Sequence, residues 1–398
     1  MGFTEIVKNL LAVIEFGSRE QAIRSVKSWM NEKYSLYVSD AEVYGACLEK
    51  LYELDATIKS RFSRKTVFDH INKNIVSLKL SDKPFEQGIS DFFQALLEVE
   101  PKTLTVTAPI SGIRLDNAKE FNLSIYKFGY LGDLELPICN ENGMYISASI
   151  ADVYDRSIAI EKAENAFLNF AKIMVFIAGK QDRSILISTG LPLRPDFTHE
   201  RMYVSTSSYQ ISDSSGILDS AQISNHSLEK IPVNNEFFCN NPDFNKLWDL
   251  NEKKHTGGKL KDVESRLLNA AIALGESAIT NDKKNSIIYT CMSLEILFSY
   301  DEGSLFQKSI GDKLSDMFTF IVAKDKETRM ATSKAAKKVY GLRSAIVHGG
   351  DKALNDLNLE INVLIRAAIN ELINNEKFAK IKNIAQIYEQ LKEAQNSY

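Results

Sequence analysis

Two side chains near the end of one predicted helix have the types and spacing for phosphate chemistry. In VYGLRSAIVHGG, residues 339–350, Val339, Leu342 and Ile346 fall at i, i+3 and i+7 on one apolar face, with Arg343 and His348 set among them. A guanidinium presents its donors in a planar fork that matches phosphate oxygens, and an imidazole exchanges protons near neutral pH. Five residues is a poor separation on a rigid helix, because Arg343 projects about 40° from Val339 and His348 about 140° from Arg343. The spacing becomes workable if the helix stops at the histidine, and Gly349 and Gly350 supply the left-handed cap for that. The carboxyl end of a helix also favours a cation, by ~0.3–1 kcal/mol. A capping histidine beside a structural arginine would use the same residues, so the residues alone leave both readings open.

Glu295 adds to this pair. It lies in CMSLEILFSY among Leu294, Ile296, Leu297 and Phe298, where a buried carboxylate needs a cation as partner. Arg343, at the border of an apolar face, is the most constrained cation in the same region. If the two meet in a well-buried pair, removing either strands the other at ~3–5 kcal/mol, and at less where water reaches it. If they do not, Glu295 is a solvent-facing residue on the polar stripe of its helix. Leading into the motif, Lys324, Lys326, Arg329, Lys334, Lys337, Lys338 and Arg343 face only two acids, Asp325 and Glu327. A solvated helix face would look the same, but Lys334, Lys337 and Lys338 precede the motif on its own helix and are candidates for RNA contacts.

The elements that must position these groups are mainly helical. Residues 1–102 read as a helical region, from TEIVKNLLAVIEF, SREQAIRSVKSWMNEKY and SDAEVYGACLEKLYELDATIKSRF to FEQGISDFFQALLEV, each with three-to-four-residue apolar spacing. Residues 103–211 change period. TLTVTAPISGI and FNLSIYKFG alternate, Asn142-Gly143 sits between two apolar runs as a hairpin signal, and one helix interrupts and ends at Gly179, which together give an α+β domain. Residues 212–242 are polar and read as a linker. Residues 243–398 read as all-α, with helices expected at 262–279, 283–300, 304–323, 328–348, 353–374 and through NEKFAKIKNIAQIYEQLKEAQ.

Composition sets the outer bounds. The 398 residues carry a formal net charge of −4, with +2 in residues 241–398 and therefore −6 in residues 1–240, so bulk electrostatics do not announce a nucleic-acid binder. No apolar run is long enough to span a membrane, and the amino terminus reads as an amphipathic helix rather than a cleaved signal peptide. Four dispersed cysteines and five dispersed histidines offer neither a disulfide framework nor a zinc site, so no metal or cofactor is expected, and a reducing cytoplasm is the natural compartment. HTGGK at 255–259 has Leu260 where a phosphate loop needs Ser or Thr, and GESAI at 275–279 lacks the second glycine of a nucleophile elbow.

SRLLNAAIALGESA, IIYTCMSLEILFSY and KKVYGLRSAIVHGG, in this order, resemble successive helices of the Apea-like HEPN family over roughly residues 262–373, and Arg343 with His348 matches that family's R-x4-H motif. The resemblance implies a C-terminal all-α HEPN helical bundle and metal-independent RNA cleavage by 2′-hydroxyl attack, leaving a 2′,3′-cyclic phosphate. It further implies a regulated effector of anti-phage defence by abortive infection. His348 would be general acid or base, Arg343 would stabilise the phosphate, Glu295 would orient Arg343, and Ser344 would bond the histidine or the substrate. Many HEPN nucleases have Asn, Asp or His where Ser344 stands. The partners implied are RNA and a second copy, in a homodimer or higher even oligomer, because one histidine does not readily serve as both acid and base. Residues 1–240 become the candidate sensor for a phage-derived or host regulator. Two other readings stay open: a non-catalytic HEPN scaffold that binds RNA or dimerises, and a toxin subunit silenced by a separate partner.

Overall fold

Apolar residues recurring every three or four positions make the folded protein mainly α-helical, with short sheets between residues 14 and 232. The computed structural model describes residues 2–81, 85–134, 143–179, 187–189, 206–213, 216–224, 230–280, 282–300, 309–349 and 357–396. Of these, 206–213, 216–224 and 357–360 are described by their backbone alone. Contacts divide the chain into two compact units: Met1–Leu104 with Ile150–Lys162, and Thr105–Ser149 with Ala163–Tyr398.

In the first unit the helix Phe3–Ala12 buries Ile6, Val7 and Leu10. The next stretch corrects the helical expectation for residues 1–102. Ile14–Phe16, Ser28–Met30 and Ser35–Val38 form a three-stranded antiparallel sheet with the last strand in the middle, Ile14 opposite Val38 and Trp29 opposite Leu36. Only Arg19–Arg24 of this stretch is helical. Local side-chain bonds divert the backbone: Asn31 Oδ1 accepts from the N–H groups of Lys33 and Tyr34 at 2.8 and 2.9 Å, and Ser25 Oγ accepts from that of Val38 at 3.1 Å. Such Asx and Ser turns compete with helix, and three-residue strands are too short for apolar spacing to register. Helices Ala41–Leu54, Ala56–Arg61 and Arg64–Leu80 follow, each capped by an Asp or Ser, then two single-turn helices, Ile89–Phe92 and Gln94–Leu97.

Asp155 ties two helix starts together in this unit. It is buried and accepts from the Ser63 backbone N–H at 2.7 Å, from the Ser63 hydroxyl at 2.6 Å and from the Ser157 N–H at 2.5 Å. Burial acts to raise its pKa, but these donors outweigh it and hold the carboxyl below the usual aspartate value. A depressed folded-state pKa gives stability that is present above the unfolded value, ~3.9, and lost as pH falls through the folded one. Asp155→Asn is therefore expected to cost about 1–3 kcal/mol at neutral pH. It should also flatten the loss of stability below about pH 4 seen in urea titrations of the wild type. An acid limb identical in the two proteins would assign that loss to other carboxylates.

The second unit contains most of a five-stranded sheet in the order Phe121–Leu123, Tyr126–Tyr130, Met144–Val153, Lys102–Ser111, Ser188–Thr189. Tyr126–Tyr130 pairs antiparallel with Met144–Val153, Tyr126 opposite Ala148. Asn142, the first residue of the expected turn, lies outside the described residues. The α-helix expected in this region runs Arg156–Ala178 and stops at Gly179, whose φ is +70°. Within 212–242, read from its polarity as a linker, Gly216–Ser224 pairs antiparallel with Thr206–Asp213, and Ile231–Pro232 pairs in parallel with Ile113–Arg114.

The remaining helices among the described residues are Glu236–Cys239, within the expected linker, and Asn245–His255, Asp262–Ile279, Lys283–Phe298, Ile310–Val322, Lys326–Val347, Leu357–Asn374, Glu376–Ala379 and Ile384–Asn396. The continuous C-terminal helix expected over 375–395 is broken at 380–383, where Asn383 Oδ1 accepts from the Gln386 N–H at 3.2 Å and caps a new start. HTGGK forms the cap of Asn245–His255, with Gly257 at φ +80° and the Gly258 N–H donating to the Lys253 carbonyl at 2.8 Å. Two contacts of the long helix Arg156–Ala178 with these helices are close ones. At Gly275 a Cβ would lie 2.1 Å from the Lys172 carbonyl oxygen, and beside it Lys172 Nζ pairs with Glu276 Oε2 at 2.8 Å. At the other point, Arg366 Nη2 donates to the Ile177 carbonyl at 2.8 Å, and its guanidinium lies 5.6 and 5.4 Å from the rings of Phe176 and Phe244. Gly179 leaves the space that this guanidinium fills.

Candidate functional site

The motif helix is Lys326–Val347. Asp325 starts it in a capping box with Thr328, and Gly349, at φ +76°, stops it. Ala335, Ala336, Val339 and Leu342 are its buried face, packed on neighbours that include Lys283–Phe298 and Ile310–Val322. His348 is the C-cap residue, with its N–H donating to the Ser344 carbonyl at 3.1 Å.

Arg343 and Glu295 meet across two helices, Nη2 to Oε1 at 3.6 Å, with 33% and 27% of their side chains exposed. The pair is half-buried and longer than a hydrogen bond. The cost estimated for a well-buried pair therefore does not apply, and about 1 kcal/mol or less is the appropriate scale. Arg343 Nε is shielded from solvent and has no hydrogen-bond partner among the described residues. The guanidinium thus retains donor capacity that its carboxylate does not use.

Two further residues belong to this cluster and were not singled out in the sequence. Tyr340, one turn before Arg343, lies 5.7 Å below the guanidinium carbon. Burial raises its phenol pKa above the ordinary value, and Glu295, as a charge and as a hydrogen-bond acceptor, raises it further against Arg343. Cys291, one turn before Glu295, is fully buried with Sγ 3.7 Å from the Val339 carbonyl. Burial, reinforced by the Glu295 charge, pushes its thiol up to about 12, which makes it a packing group rather than a nucleophile. Both signals were present as i, i+3 and i, i+4 neighbours of residues already in view.

The other candidates occupy a different face. At 100° per residue, Lys334, Lys337, Ser344 and His348 fall within about 40° of one another's mean direction, whereas Arg343 is about 140° from His348. All four are exposed, as is Lys338 at the edge of the stripe. Lys337 is not free, since its ammonium pairs with Asp312 at 2.7 Å. Ser344 and His348 are linked through the backbone. Among the described residues His348 makes no hydrogen bond through its ring. The structure therefore brings together Glu295, Tyr340 and Arg343, and sets Ser344, His348 and the lysines along a separate solvent-facing stripe.

No group of three or more His, Cys, Asp and Glu side chains is clustered among the described residues. Cys139, His199, His226 and Gly350 lie outside them. No described helix is long and apolar enough to cross a membrane. No protein-family model matches the chain, and neither does any curated protein or solved structure.

Proposed function

We propose that the chain is an endoribonuclease of the HEPN type, in which Arg343 and His348 act on an RNA phosphodiester. The observation that carries this reading is the half-open arginine, held loosely by Glu295 with Nε unpaired, one and a half turns before a histidine at a glycine-terminated helix end. The 2′-hydroxyl attacks the adjacent phosphorus, the bond to the 5′-oxygen breaks, and the products are a 2′,3′-cyclic phosphate and a 5′-hydroxyl. His348 takes the 2′ proton or protonates the leaving oxygen. Arg343 neutralises charge on the phosphoryl oxygens. The nucleophile is internal to the substrate, so the scheme requires no metal-bound water.

Within this scheme a second copy supplies the second histidine. The assembly that this requires is a homodimer or a higher even oligomer. Residues 1–240 serve as the sensor for a phage-derived or host regulator, and the protein acts in the cytoplasm as an abortive-infection effector. The divergence of Arg343 and His348 on one helix favours a second reading, a HEPN scaffold that binds RNA without cutting it.

One experiment separates the two readings. Purified protein incubated with tRNA and mRNA in excess EDTA is expected to cut, and the ends to carry 2′,3′-cyclic phosphates. Binding without cleavage would select the scaffold. Ends bearing 3′-hydroxyls, or activity lost on chelation and restored by magnesium, would sink the mechanism.

A further inference from the structure

A cleft of about 440 Å³ lies within the first compact unit, lined by side chains of Ala41–Leu54, of Arg64–Leu80 and of the turn after Arg19–Arg24. Small-ligand pockets occupy about 300–1,000 Å³, so the volume suits one compact molecule. Two buried polar residues line it, Tyr44 and Asn72, 9% and 7% exposed, and the Tyr44 hydroxyl donates to Asn72 Oδ1 at 2.7 Å. That bond uses the only proton of the phenol and leaves its oxygen as an acceptor. It also fixes the amide, whose Nδ2 donates to nothing among the described residues. Burial holds the phenol above its ordinary pKa, so this polarity persists across the neutral range. An acceptor and a donor are therefore offered side by side. Leu48 and Phe68 add apolar walls, and Lys27, Lys65 and Asp69 bring three charges. Lys65 and Asp69 stand four residues apart on one helix without closing an ion pair, and Lys27 has no carboxylate partner among the described residues.

We infer that this cleft binds a single nucleotide. The adjacent acceptor and donor of Tyr44 and Asn72 match the edge of a nucleobase, which sets the same two functions side by side. Phe68 and Leu48 cover apolar faces of the base, and the two ammonium groups take the phosphate. Asp69 narrows the class further. A carboxylate near a bound anion repels it unless the same ligand also brings donors, and the hydroxyls of a ribose are such donors. The inference does not depend on the nuclease reading, because every residue it uses belongs to the first unit and none to the Arg343 helix.

Isothermal titration of the full chain with the ribonucleoside 5′-monophosphates tests this, with thermal melts alongside. At least one is expected to bind with a Kd of about 1–100 μM and to raise the melting temperature. Lys65 is exposed and in no ion pair, so Lys65→Ala should leave the melting temperature of the free protein unchanged. The same variant should weaken the nucleotide about tenfold and leave the matching nucleoside, which has no phosphate, unaffected. Tyr44→Phe should weaken nucleotide and nucleoside alike, and Asp69→Asn should erase a preference for ribose over 2′-deoxyribose. A trinucleotide carrying the same 5′-phosphate separates the two sources of this chemistry: tighter binding than the monophosphate makes the ligand a strand end, weaker binding a free nucleotide, and either upholds the site. Arg343 offers a cation elsewhere in the chain, so Arg343→Ala is the control and should leave the titration unchanged. RNA cleavage by Lys65→Ala should stay at the wild-type level, which keeps failure of the cleft apart from failure of the nuclease reading. The assignment is wrong if no monophosphate binds, if inorganic phosphate binds equally well, or if binding is lost in Arg343→Ala and kept in Lys65→Ala.

Discussion

Arg343→Ala and His348→Ala are each expected to lower RNA cleavage by about 10²–10⁴-fold, the usual range for removing a transition-state cation or a general acid–base group. Neither change should unfold the protein. His348 is exposed at a helix cap, and Arg343 contributes only a half-exposed ion pair, so the cost in stability is about 1 kcal/mol or less in each case. Gel analysis of total RNA, paired with thermal melts, reads both quantities. Two variants that melt and cut like wild type would remove this pair from catalysis. If a second copy supplies the second histidine, a mixed dimer of wild-type and His348→Ala protomers should lose most of its activity, since it retains only one histidine.

Gly275→Ala is expected to cost about 1–3 kcal/mol or more and to lower the melting temperature by roughly 2–10 °C. The new Cβ would meet the Lys172 carbonyl oxygen at 2.1 Å, its carbon at 2.7 Å and its Cα at 2.9 Å. These are backbone atoms of a neighbouring helix and have no rotamer to change, so the helices themselves must separate. Gly341→Ala is the control with opposite sign. Gly341 is exposed on the motif helix, an added Cβ there meets nothing within 4 Å, and alanine should stabilise the helix by about 0.5–1 kcal/mol. Calorimetry that finds the two substitutions equal would mean that the close approach at Gly275 is not a constraint on the folded state.

The contrast between these glycines shows what was legible in the sequence. The helix Asp262–Ile279 fell where its spacing predicted, and Lys326–Val347 within two residues of it, because amphipathic periodicity is a local property that survives tertiary contact. Gly275 sits inside the first of these as part of GESAI, and nothing in that string announces a carbonyl from residue 172. The stretch 14–38 failed for the opposite reason. Its helix-like apolar spacing was genuine, but turns set by Ser25 and Asn31 cut it into strands too short for periodicity to report. At the candidate site, the meeting of Glu295 with Arg343 was accessible from burial arguments. The participation of Tyr340 was not, because it depends on Gly311 of a third helix clearing room for the ring.

The Arg366 joint bears on portability. One guanidinium sits between Phe176 and Phe244, donates to the last turn of Arg156–Ala178 and occupies the space left by Gly179. Its burial lowers its pKa, so the charge is tolerated there only with these neighbours around it. Residues 243–398 grafted onto an unrelated domain would arrive with a stranded arginine and a bare face on Asp262–Ile279 where Lys172 had packed. Any rearrangement of the gene that exchanges the amino-terminal half must therefore carry the long helix along with the bundle, or replace both contacts at once.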